Sequence, residues 1–565
     1  MTADHLSGGD ANLLWARQLL AELYAAGVRA LVLAPGSRSA PLTLAAASHG
    51  GFSLHQHFDE RALGFFALGL ARRSARPVGL ICTSGTAVAN LLPAVVEADL
   101  DDLALLLLTA DRPPELIDCG ANQAIRQQGL FGQHLRASLN LPPPTQPLDL
   151  PWLAGQLAAV IAHQQHQPGP VQINVMLREP LYPSADMLHQ PPPAALNHPA
   201  PPVVERVEPH ADWWRWSQVP GVVVAGRLSP TAGAAVAEWA AALGWPLLAD
   251  PQSHARHGAT AITPAELALA DGELVAALLQ APLIIRCGDR ITGKRLNQLL
   301  ADHPGQQWQV VPGPGNRDPH QRVSWRWYAS VEAVVAAHPQ APGATLPWLE
   351  VATINQRLAD CLPAIDHRAP LDELSAVAAL ASLLPADGLL LCGNSLPIRL
   401  LDQLAPRLPG LVHANRGASG IDGLLATACG AGAGHEGPLT ALIGDISLLH
   451  DLNSLALLAA TTRPSLLLLL NNGGGNIFDL LPVPDTALRE RYFRTPVSWQ
   501  PAAACATFGL RHCQPTDLGA FVTACQQAWQ TPGATVVEVV VPAGTTAPAL
   551  RALGERVARA QLVSD

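Results

Sequence analysis

The sequence predicts an α/β protein of three domains, each with a parallel sheet that is covered by helices. Three observations lead to this fold class. The chain has 565 residues, which is too long for a single hydrophobic core. It is 49% hydrophobic and only 14% charged, so it can bury large cores. Short apolar runs alternate with longer helical patterns along the chain, which is typical of parallel strands buried on both faces.

The first domain is predicted to alternate buried strands with helices. The strands are ALVLAPGS, VGLICTSG, LALLLLTAD and VQINV, near residues 30, 80, 105 and 172. The helices are WARQLLAELYAAG, TAVANLLPAVVEADL and HFDERALGFFALGLARRS (57–74). In the last of these, Leu63, Phe66 and Leu70 recur on one face, as in a core-facing helix. Asp59 and Glu60 open this helix, where acidic side chains cap unpaired backbone N–H groups.

The same alternation continues after a Pro-rich linker at 188–202. The middle of the chain contributes the apolar runs GVVVAG, PLIIRCGD and QWQVVPG. The last third contributes GLLLCGNS, LTALIGDIS, SLLLLLNNGGGN and TVVEVVVP. The predicted boundaries are therefore a first domain over 1–187, a central domain over 203–340, a linker and helix over 341–365, and a third domain over 366–565.

Charge and cysteine content exclude several classes of protein. The net charge of −10 argues against a nucleic-acid groove or an anionic membrane surface. No apolar run approaches the ~18 residues of a membrane span, and the first residues lack the pattern of a signal peptide. The nine cysteines are scattered without a CxxC pair, which favours reduced thiols and a cytoplasmic location. His55 and His57 alternate on a strand before Glu60 and are expected to be structural rather than zinc ligands.

Two strands of the third domain end in polar residues that suit a cation. One strand ends in Gly444-Asp445, and the next ends in Asn471-Asn472 before three glycines. Open parallel sheets bind ligands at these carboxyl-terminal ends. Carboxylate and amide oxygens suit a Mg²⁺ that bridges a diphosphate, and glycines let the backbone approach closely. Two ordinary strand-to-helix turns are the alternative interpretation.

This spacing resembles the diphosphate–Mg²⁺ motif of thiamine-diphosphate enzymes, which runs from Gly-Asp to a paired Asn. The superfamily usually has Gly after the Asp, whereas this chain has Ile446. Longer stretches resemble one family in particular, the 2-succinyl-5-enolpyruvyl-6-hydroxy-3-cyclohexene-1-carboxylate synthases of menaquinone biosynthesis. These stretches run in order from about residue 31 to about residue 481: APGSRSAPLTLAA, HFDERALG, TSGTAVANLLPAVVEA, TADRPPELIDCGANQAIRQ, TGKRL, GNSLPIRLLD, NRGASGIDG and GDISLLHDLNSL.

The resemblance implies pyrimidine-binding, central and diphosphate-binding domains, with thiamine diphosphate and Mg²⁺ (or Mn²⁺ in its place) as cofactors. Glu60 would contact N1′ of the aminopyrimidine as a catalytic carboxyl, with Phe58, Phe65 and Phe66 reducing its exposure to water. Ile421 would support the bent cofactor. The other implied cofactor residues are Gly444, Asp445, Ile446, Ser447, Asn472, Gly474, Ile477 and Phe478, among which Asp445, Asn472 and Gly474 would bind the metal.

The family reaction joins 2-oxoglutarate to isochorismate with loss of CO₂. Because both substrates are dicarboxylates and the chain is acidic, local cations are needed, and Arg is the better partner of a carboxylate. By resemblance, the 2-oxoglutarate side comprises Ser395, Arg399 and Arg416. The isochorismate side comprises Ser37, Arg38, Arg112, Lys294 and Arg295. Gln123 would contact the reacting intermediate as a second catalytic residue.

Two other functions remain open at this point. One is another thiamine-diphosphate-dependent 2-oxo acid decarboxylase or synthase, such as acetohydroxyacid synthase; the many arginines argue against it. The other is a catalytically silent cofactor-binding regulatory protein; the retention of Glu60, Asp445 and Asn472 argues against that. The resemblance further implies a homodimer or a dimer of dimers. In it, the first domain of one subunit would face the third domain of another across each active site.

Overall fold

The computed structural model describes residues 6–196, 206–313, 317–339, 348–363 and 366–563. Within these ranges the chain forms three six-stranded sheets with parallel pairing between neighbouring strands. This arrangement confirms the predicted fold class. Parts of both predicted linkers, at 197–202, 341–347 and 364–365, lie outside the described residues. The exact domain boundaries stay a prediction.

The first sheet is built from residues 30–176. Its strands are β1 (Ala30–Leu33), β2 (Ser53–Gln56), β3 (Val78–Cys82), β4 (Leu105–Asp111), β5 (Ala137–Leu141) and β6 (Val171–Met176). They lie in the order β2-β1-β3-β4-β6-β5. The accompanying helices are α1 (Gly8–Ala25), α2 (Ala40–His49), α3 (Glu60–Ser74), α4 (Thr86–Ala89), α5 (Leu92–Leu100), α6 (Leu150–His166) and α7 (Ala185–Leu188). Every residue of β3 and β4 is buried, as expected for central strands covered on both faces.

The helix α3 begins and packs as its sequence predicts. Asp59 is the N-cap, and its carboxylate accepts hydrogen bonds from the backbone N–H groups of Arg61 (3.0 Å) and Ala62 (3.3 Å). Leu63, Phe66 and Leu70 of its apolar face are all buried.

The single helix predicted over TAVANLLPAVVEADL is wrong. The chain forms α4 and α5 there, interrupted at Asn90 and Leu91. Pro93 lies in the first turn of α5, where its missing N–H costs nothing, whereas inside a continuous helix it would remove a hydrogen bond and clash.

The second and third sheets follow in the rest of the chain. The second sheet contains β7 (Gly221–Ala225), β8 (Leu247–Ala249), β9 (Ala261–Ile262), β10 (Leu283–Cys287), β11 (Gln306–Val311) and β12 (Trp325–Tyr328). The third contains β13 (Leu389–Cys392), β14 (Leu411–His413), β15 (Leu439–Gly444), β16 (Ser465–Asn471), β17 (Arg511–Cys513) and β18 (Ala534–Val540). Their orders are β12-β11-β10-β7-β8-β9 and β14-β13-β15-β16-β18-β17.

Helices connect these strands as they do in the first sheet. They are α8 (Trp213–Trp216), α9 (Pro230–Leu243), α10 (Ala265–Ala268), α11 (Gly272–Leu279), α12 (Lys294–Asp302), α13 (Val331–Ala337), α14 (Val351–Cys361), α15 (Glu373–Leu383), α16 (Leu396–Leu404), α17 (Leu424–Ala433), α18 (Asp445–His450), α19 (Leu455–Ala459), α20 (Thr486–Leu488), α21 (Pro501–Thr507), α22 (Leu518–Gln530) and α23 (Thr546–Ala558). None of the helices in the described ranges has both the length and the apolar character that crossing a membrane requires.

The chain divides into two compact units. The first unit comprises Met1–Pro202 together with two later stretches, Asn415–Glu436 and His450–Ala460. The second unit comprises Val203–Ala414, Gly437–Leu449 and Thr461–Asp565, and one hydrophobic core there joins the second and third sheets.

Within the first unit, α17 packs closely along α3. A Cβ atom on Gly69 would lie 2.0 Å from the carbonyl oxygen of Thr427, and a Cβ atom on Gly430 would lie 2.0 Å from that of Phe66. Both positions therefore require glycine, because any side chain would force the two helix backbones apart.

Candidate active site

The carboxyl-terminal edge of the first sheet brings Arg38 and Arg112 together. Arg38 follows β1, and Arg112 directly follows β4. Arg38 donates hydrogen bonds to the carbonyl oxygen of Leu177 (2.9 Å) and to the Glu179 carboxylate (3.1 Å). Burial lowers the pKa of Arg112, and the neighbouring positive charge of Arg38 lowers that pKa further. Both arginines therefore lie at the same carboxyl-terminal edge of the first sheet.

Two N–H groups of this pair remain available. The Nε of Arg38 and the Nη1 of Arg112 are buried without a hydrogen-bond partner in the described part of the chain. Buried donors normally have partners, so these two indicate a ligand. Adjacent guanidinium groups with spare N–H donors suit a carboxylate. Ser37, the third residue predicted here, is exposed.

Gln123 lies at the end of the neighbouring strand β3. Its Nε2 donates to the carbonyl oxygen of Ser84 (2.9 Å), and the Ser84 hydroxyl donates to the carbonyl oxygen of Gln123 (3.2 Å). Its side chain packs on Gly85, where a Cβ atom would lie 2.9 Å from Cγ of Gln123. This contact places Gln123 at the same edge of the sheet as the two arginines.

A buried polar network beneath these residues was not predicted. Asn174 Nδ2 donates to the Asp111 carboxylate (2.8 Å), and Asn174 Oδ1 accepts from Nε2 of Gln127 (2.9 Å). Gln127 Oε1 accepts from the backbone N–H of Gly85 (2.9 Å), while Asp111 accepts from the backbone N–H of Arg112 (2.7 Å). The network thus joins the turn beneath Gln123 to Arg112. Asn174 is a polar residue within a mostly apolar strand and Gln127 lies in a loop, so neither gave a sequence signal for the network.

Glu60 is the half-buried first residue of α3. Burial raises the pKa of the Cys82 thiol, and the negative charge of Glu60 adds to this rise, so Glu60 lies near the end of β3. Phe65 and Phe66 are buried, but Phe58 is 59% exposed. The expectation that Phe58 reduces the exposure of Glu60 stays a prediction.

The two histidines before Glu60 have aromatic partners. The ring of His55 lies 5.1 Å from that of Phe66, and the ring of His57 lies 4.4 Å from that of Phe58. Nε2 of His57 is buried without a hydrogen-bond partner in the described part of the chain, and the structural role expected for both histidines stays a prediction.

Arg416 and Ile421 lie in the stretch 415–436 of the first unit, and both are half-buried. The backbone of this stretch touches α3 at Gly423, where a Cβ atom would lie 2.1 Å from the ring of Phe65. The first unit thus holds the loop with Arg416 and Ile421 against the helix that Glu60 begins.

In the second unit, the carboxyl-terminal edge of the third sheet carries Asp445 and Asn472. Asp445 follows β15, and Asn472 follows the adjacent strand β16. The Asp445 carboxylate accepts from the backbone N–H groups of Ile446 (2.8 Å) and Gly474 (2.8 Å). Asn472 Nδ2 donates to the carboxylate of Glu373 (2.9 Å). Asn472 Oδ1 is buried without a hydrogen-bond partner among the described residues.

These groups fit a small divalent cation. A carboxylate and an unpartnered amide oxygen are hard donors of the kind that Mg²⁺ prefers. Burial raises the pKa of Asp445, as expected for a carboxylate removed from water. The described ranges contain no group of three or more His, Cys, Asp or Glu side chains that could hold a metal, so any site here depends on amide and backbone oxygens.

The glycine-rich loop after β16 brings backbone oxygens close to Asp445 and Asn472. Gly474 has a φ of +137°, and a Cβ atom there would lie 2.4 Å from the carbonyl oxygen of Arg494. Ser447 is buried in α18, and Gly444 is half-buried at the end of β15. Ile477 and Phe478 are half-buried in a 3₁₀ turn over Asn476–Leu480.

Ser395 and Arg399 lie at the beginning of α16, after β13. Ser395 has a φ of +69°, which is unusual for a residue with a side chain, and its carbonyl oxygen accepts from Nη1 of Arg399 (2.6 Å). Both residues are half-buried at the carboxyl-terminal edge of the third sheet. Strain of this kind is typical of functional positions.

Lys294 and Arg295 begin α12 in the same unit; Lys294 is exposed and Arg295 half-buried. The Glu266 carboxylate accepts from the backbone N–H of Arg295 (3.0 Å). A Cβ atom on Gly293 would lie 2.3 Å from Oε2 of Glu266 and 3.2 Å from Oδ2 of Asp402. Because Asp402 belongs to α16, the beginning of α12 lies beside the helix that carries Arg399.

The predicted site residues are thus divided between the two units. The first unit contains Ser37, Arg38, Glu60, Arg112, Gln123, Arg416 and Ile421. The second contains Lys294, Arg295, Ser395, Arg399, Gly444, Asp445, Ile446, Ser447, Asn472, Gly474, Ile477 and Phe478. Their individual roles stay predictions.

Two family models match long parts of this chain. The model described as the thiamine pyrophosphate enzyme N-terminal TPP binding domain matches residues 15–133. The model described as the middle domain of thiamine pyrophosphate enzymes matches residues 197–392. An X-ray structure assigned to a thiamin diphosphate-dependent enzyme from Mycobacterium smegmatis has a TM-score of 0.68 with 17% identity. The match covers 94% of this chain and 99% of that one, which supports the fold.

Curated relatives identify one family among the thiamine-diphosphate-dependent enzymes. A 2-succinyl-5-enolpyruvyl-6-hydroxy-3-cyclohexene-1-carboxylate synthase from Aeromonas salmonicida is 44% identical, over 96% of this chain and 97% of the relative. A protein of the same name from Cronobacter sakazakii is 43% identical, over 94% of this chain and 96% of the relative. A third, from Edwardsiella ictaluri, is 42% identical, over 97% and 99%. The chain therefore belongs to the 2-succinyl-5-enolpyruvyl-6-hydroxy-3-cyclohexene-1-carboxylate synthases, a family of thiamine-diphosphate-dependent enzymes.

Proposed function

We propose that this protein decarboxylates 2-oxoglutarate and adds the resulting succinyl-semialdehyde unit to isochorismate, as a carboligase of menaquinone biosynthesis. The observation that carries this proposal is the 44% identity, over 96% of the chain, with a relative named for the product of that reaction. The products are 2-succinyl-5-enolpyruvyl-6-hydroxy-3-cyclohexene-1-carboxylate and CO₂.

The arginines bind the two dicarboxylate substrates. Arg38 and Arg112 take a carboxylate of isochorismate, supported by their adjacent guanidinium groups and unpartnered N–H donors. Lys294 and Arg295 add positive charge from the central domain, and Ser37 adds a hydroxyl. The residues assigned to 2-oxoglutarate are Ser395, Arg399 and Arg416. Gln123 hydrogen-bonds the reacting groups from the turn at the end of β3.

Thiamine diphosphate, when bound, supplies the electron sink that allows CO₂ to leave. Glu60 would hold and move a proton at N1′ of the aminopyrimidine, and Ile421 would pack against the cofactor. Asp445, Asn472 and the backbone oxygen of Gly474 bind Mg²⁺, or Mn²⁺ in its place. The cofactor is further bounded by Gly444, Ile446, Ser447, Ile477 and Phe478. The unpartnered Asn472 Oδ1 is the main structural support for this cation site.

We also propose a homodimer, or a dimer of dimers, whose active sites lie at the subunit interface, and a cytoplasmic location. The assembly is argued from the family resemblance. The location is supported by the nine cysteines, all of which are free thiols, as is usual in a reducing compartment.

Release of CO₂ from 2-oxoglutarate, with and without isochorismate, tests the function. We expect isochorismate to stimulate CO₂ release and to be consumed in equal amount. The Glu60→Gln variant serves as the control for background decarboxylation. Turnover of pyruvate alone would favour an acetohydroxyacid synthase. No turnover with any 2-oxo acid, in a protein that binds thiamine diphosphate, would favour a silent regulatory protein.

A further inference from the structure

Glu373 lies directly beneath the proposed cation site. It is the first residue of α15 and is only 1% exposed. One carboxylate oxygen accepts from Nδ2 of Asn472 (2.9 Å), and the other accepts from the hydroxyl of Thr546, the first residue of α23. Both carboxylate oxygens of Glu373 therefore contact protein donors, one of which is the side chain of Asn472.

The contact with Glu373 fixes the orientation of the Asn472 amide. An amide group has an NH₂ donor and an oxygen acceptor, and the nearer oxygen of Glu373 accepts from the NH₂ group. Turning the amide around would bring its oxygen against this acceptor, which is unfavourable. The NH₂ group therefore faces Glu373, and Oδ1 faces the opposite way.

The opposite side of this amide has no partner in the described residues. Asn472 Oδ1 is buried and unpaired, although buried polar atoms nearly always find a partner. The backbone is also held, because the Asn472 carbonyl oxygen accepts from Nδ2 of Asn476 (2.6 Å). Asn472 is thus fixed with one free hard oxygen, on the side away from Glu373.

The neighbouring strand end adds a carboxylate to this region. Asp445 follows β15 and Asn472 follows the adjacent strand β16, and both residues are buried. A carboxylate and an unpartnered amide oxygen are hard donors of the kind that Mg²⁺ prefers.

We propose that Glu373 is a positioning residue for the cation site: it holds the Asn472 amide so that Oδ1 faces the metal. This inference rests on the proposed Mg²⁺-dependent function. Partners of metal ligands orient those ligands, and their loss typically weakens metal binding ~10–100-fold.

The proposal can be tested without measuring activity. Mg²⁺ is titrated into protein that holds saturating thiamine diphosphate, and calorimetry measures the Kd for Mg²⁺. Glu373→Leu removes the acceptor, and we expect its Kd for Mg²⁺ to rise ~10–100-fold. Glu373→Gln should bind Mg²⁺ almost normally, because its amide oxygen still accepts from Asn472 and its NH₂ group can donate to Thr546. Thr546→Val is the matched control: it removes the other partner of Glu373, and we expect an unchanged Kd.

A pair of substitutions keeps the proposal testable if Glu373→Leu does not fold. Asn472→Asp would place a second carboxylate against Glu373 and should weaken Mg²⁺ binding. Adding Glu373→Gln supplies an NH₂ donor to that new carboxylate, so the double variant should bind Mg²⁺ more tightly than Asn472→Asp alone.

Two results would overturn the proposal. One is a Glu373→Leu protein with a lowered Tm but a normal Kd for Mg²⁺, which indicates a purely structural role. The other is a double variant that binds Mg²⁺ no better than Asn472→Asp. If the wild-type protein itself binds thiamine diphosphate without any Mg²⁺ dependence, the proposed cofactor site fails instead, and that failure is visible before any variant is made.

Discussion

Glu97 and Gly417 are 320 positions apart in the sequence, yet the buried carboxylate of Glu97 accepts a hydrogen bond from the backbone N–H of Gly417 (2.8 Å). The other carboxylate oxygen accepts from the N–H of Ala418 (2.6 Å). One side chain of α5 therefore satisfies two backbone donors of the loop that begins with Arg416. The shape of this loop depends on Glu97.

Glu97→Gln should lower the Tm and raise the KM for 2-oxoglutarate. The amide keeps the size of the side chain but replaces one acceptor with a donor, so one backbone N–H loses its partner. An unsatisfied buried N–H costs about 1–3 kcal/mol. The measurements are thermal unfolding and steady-state kinetics. Glu436→Gln, an exposed change of the same kind in the same stretch, is the control. A normal Tm for Glu97→Gln would contradict the role of this contact.

Glu60→Gln should keep the fold and bind thiamine diphosphate but lose most activity. The change is nearly isosteric and removes only the carboxyl that exchanges a proton with N1′. The measurement is the exchange of the C2 hydrogen of bound thiamine diphosphate with deuterium, followed by NMR. We expect exchange to slow strongly. Exchange at the wild-type rate would remove Glu60 from the catalytic assignment.

Arg399→Ala should mainly impair the use of 2-oxoglutarate, whereas Lys294→Ala should mainly impair the use of isochorismate. Loss of a charged partner typically costs about 2–5 kcal/mol where the site is desolvated. Because Lys294 is exposed, its effect should be the smaller of the two. Separate KM values for the two substrates check this. If both variants raise the KM of the same substrate only, the division of the pocket is wrong.

Mixed dimers of two inactive variants should recover about a quarter of wild-type activity. Glu60→Gln and Asp445→Ala homodimers should each be nearly inactive. After unfolding and refolding in equal amounts, about half of the dimers are mixed. If each site takes Glu60 from one subunit and Asp445 from the other, one site of every mixed dimer has both residues intact.

Activity that stays at the level of the separate variants would indicate that both residues come from one chain.

The sequence predicted the central strands well and the edge strands poorly. Strands such as β4 are buried at every residue, and their continuous apolar runs stand out. Edge strands such as β12 and β17 are short and partly exposed, so their mixed composition gave no comparable pattern.

Some residues of the candidate site could likewise be predicted from the sequence, and others could not. Asp445 and Asn472 were predicted as cation ligands from their residue types, their position after apolar strands and the family resemblance, and that role stays a prediction. Glu373, Glu97 and Asn174 act on residues that are distant in sequence, and each is a single polar residue whose partner only the fold reveals.

The packing of Gly69 against α17 also constrains the order in which the chain can fold during synthesis. All strands of the first sheet are complete once Met176 has been made, yet α17 begins only at Leu424. At ~5–20 residues per second, roughly 20–70 s separate the emergence of α3 from that of its partner helix. During that interval all strands of the first sheet have been made, but the apolar surface of α3 that packs on α17 is still uncovered. The first unit can be completed only after α17 has been made.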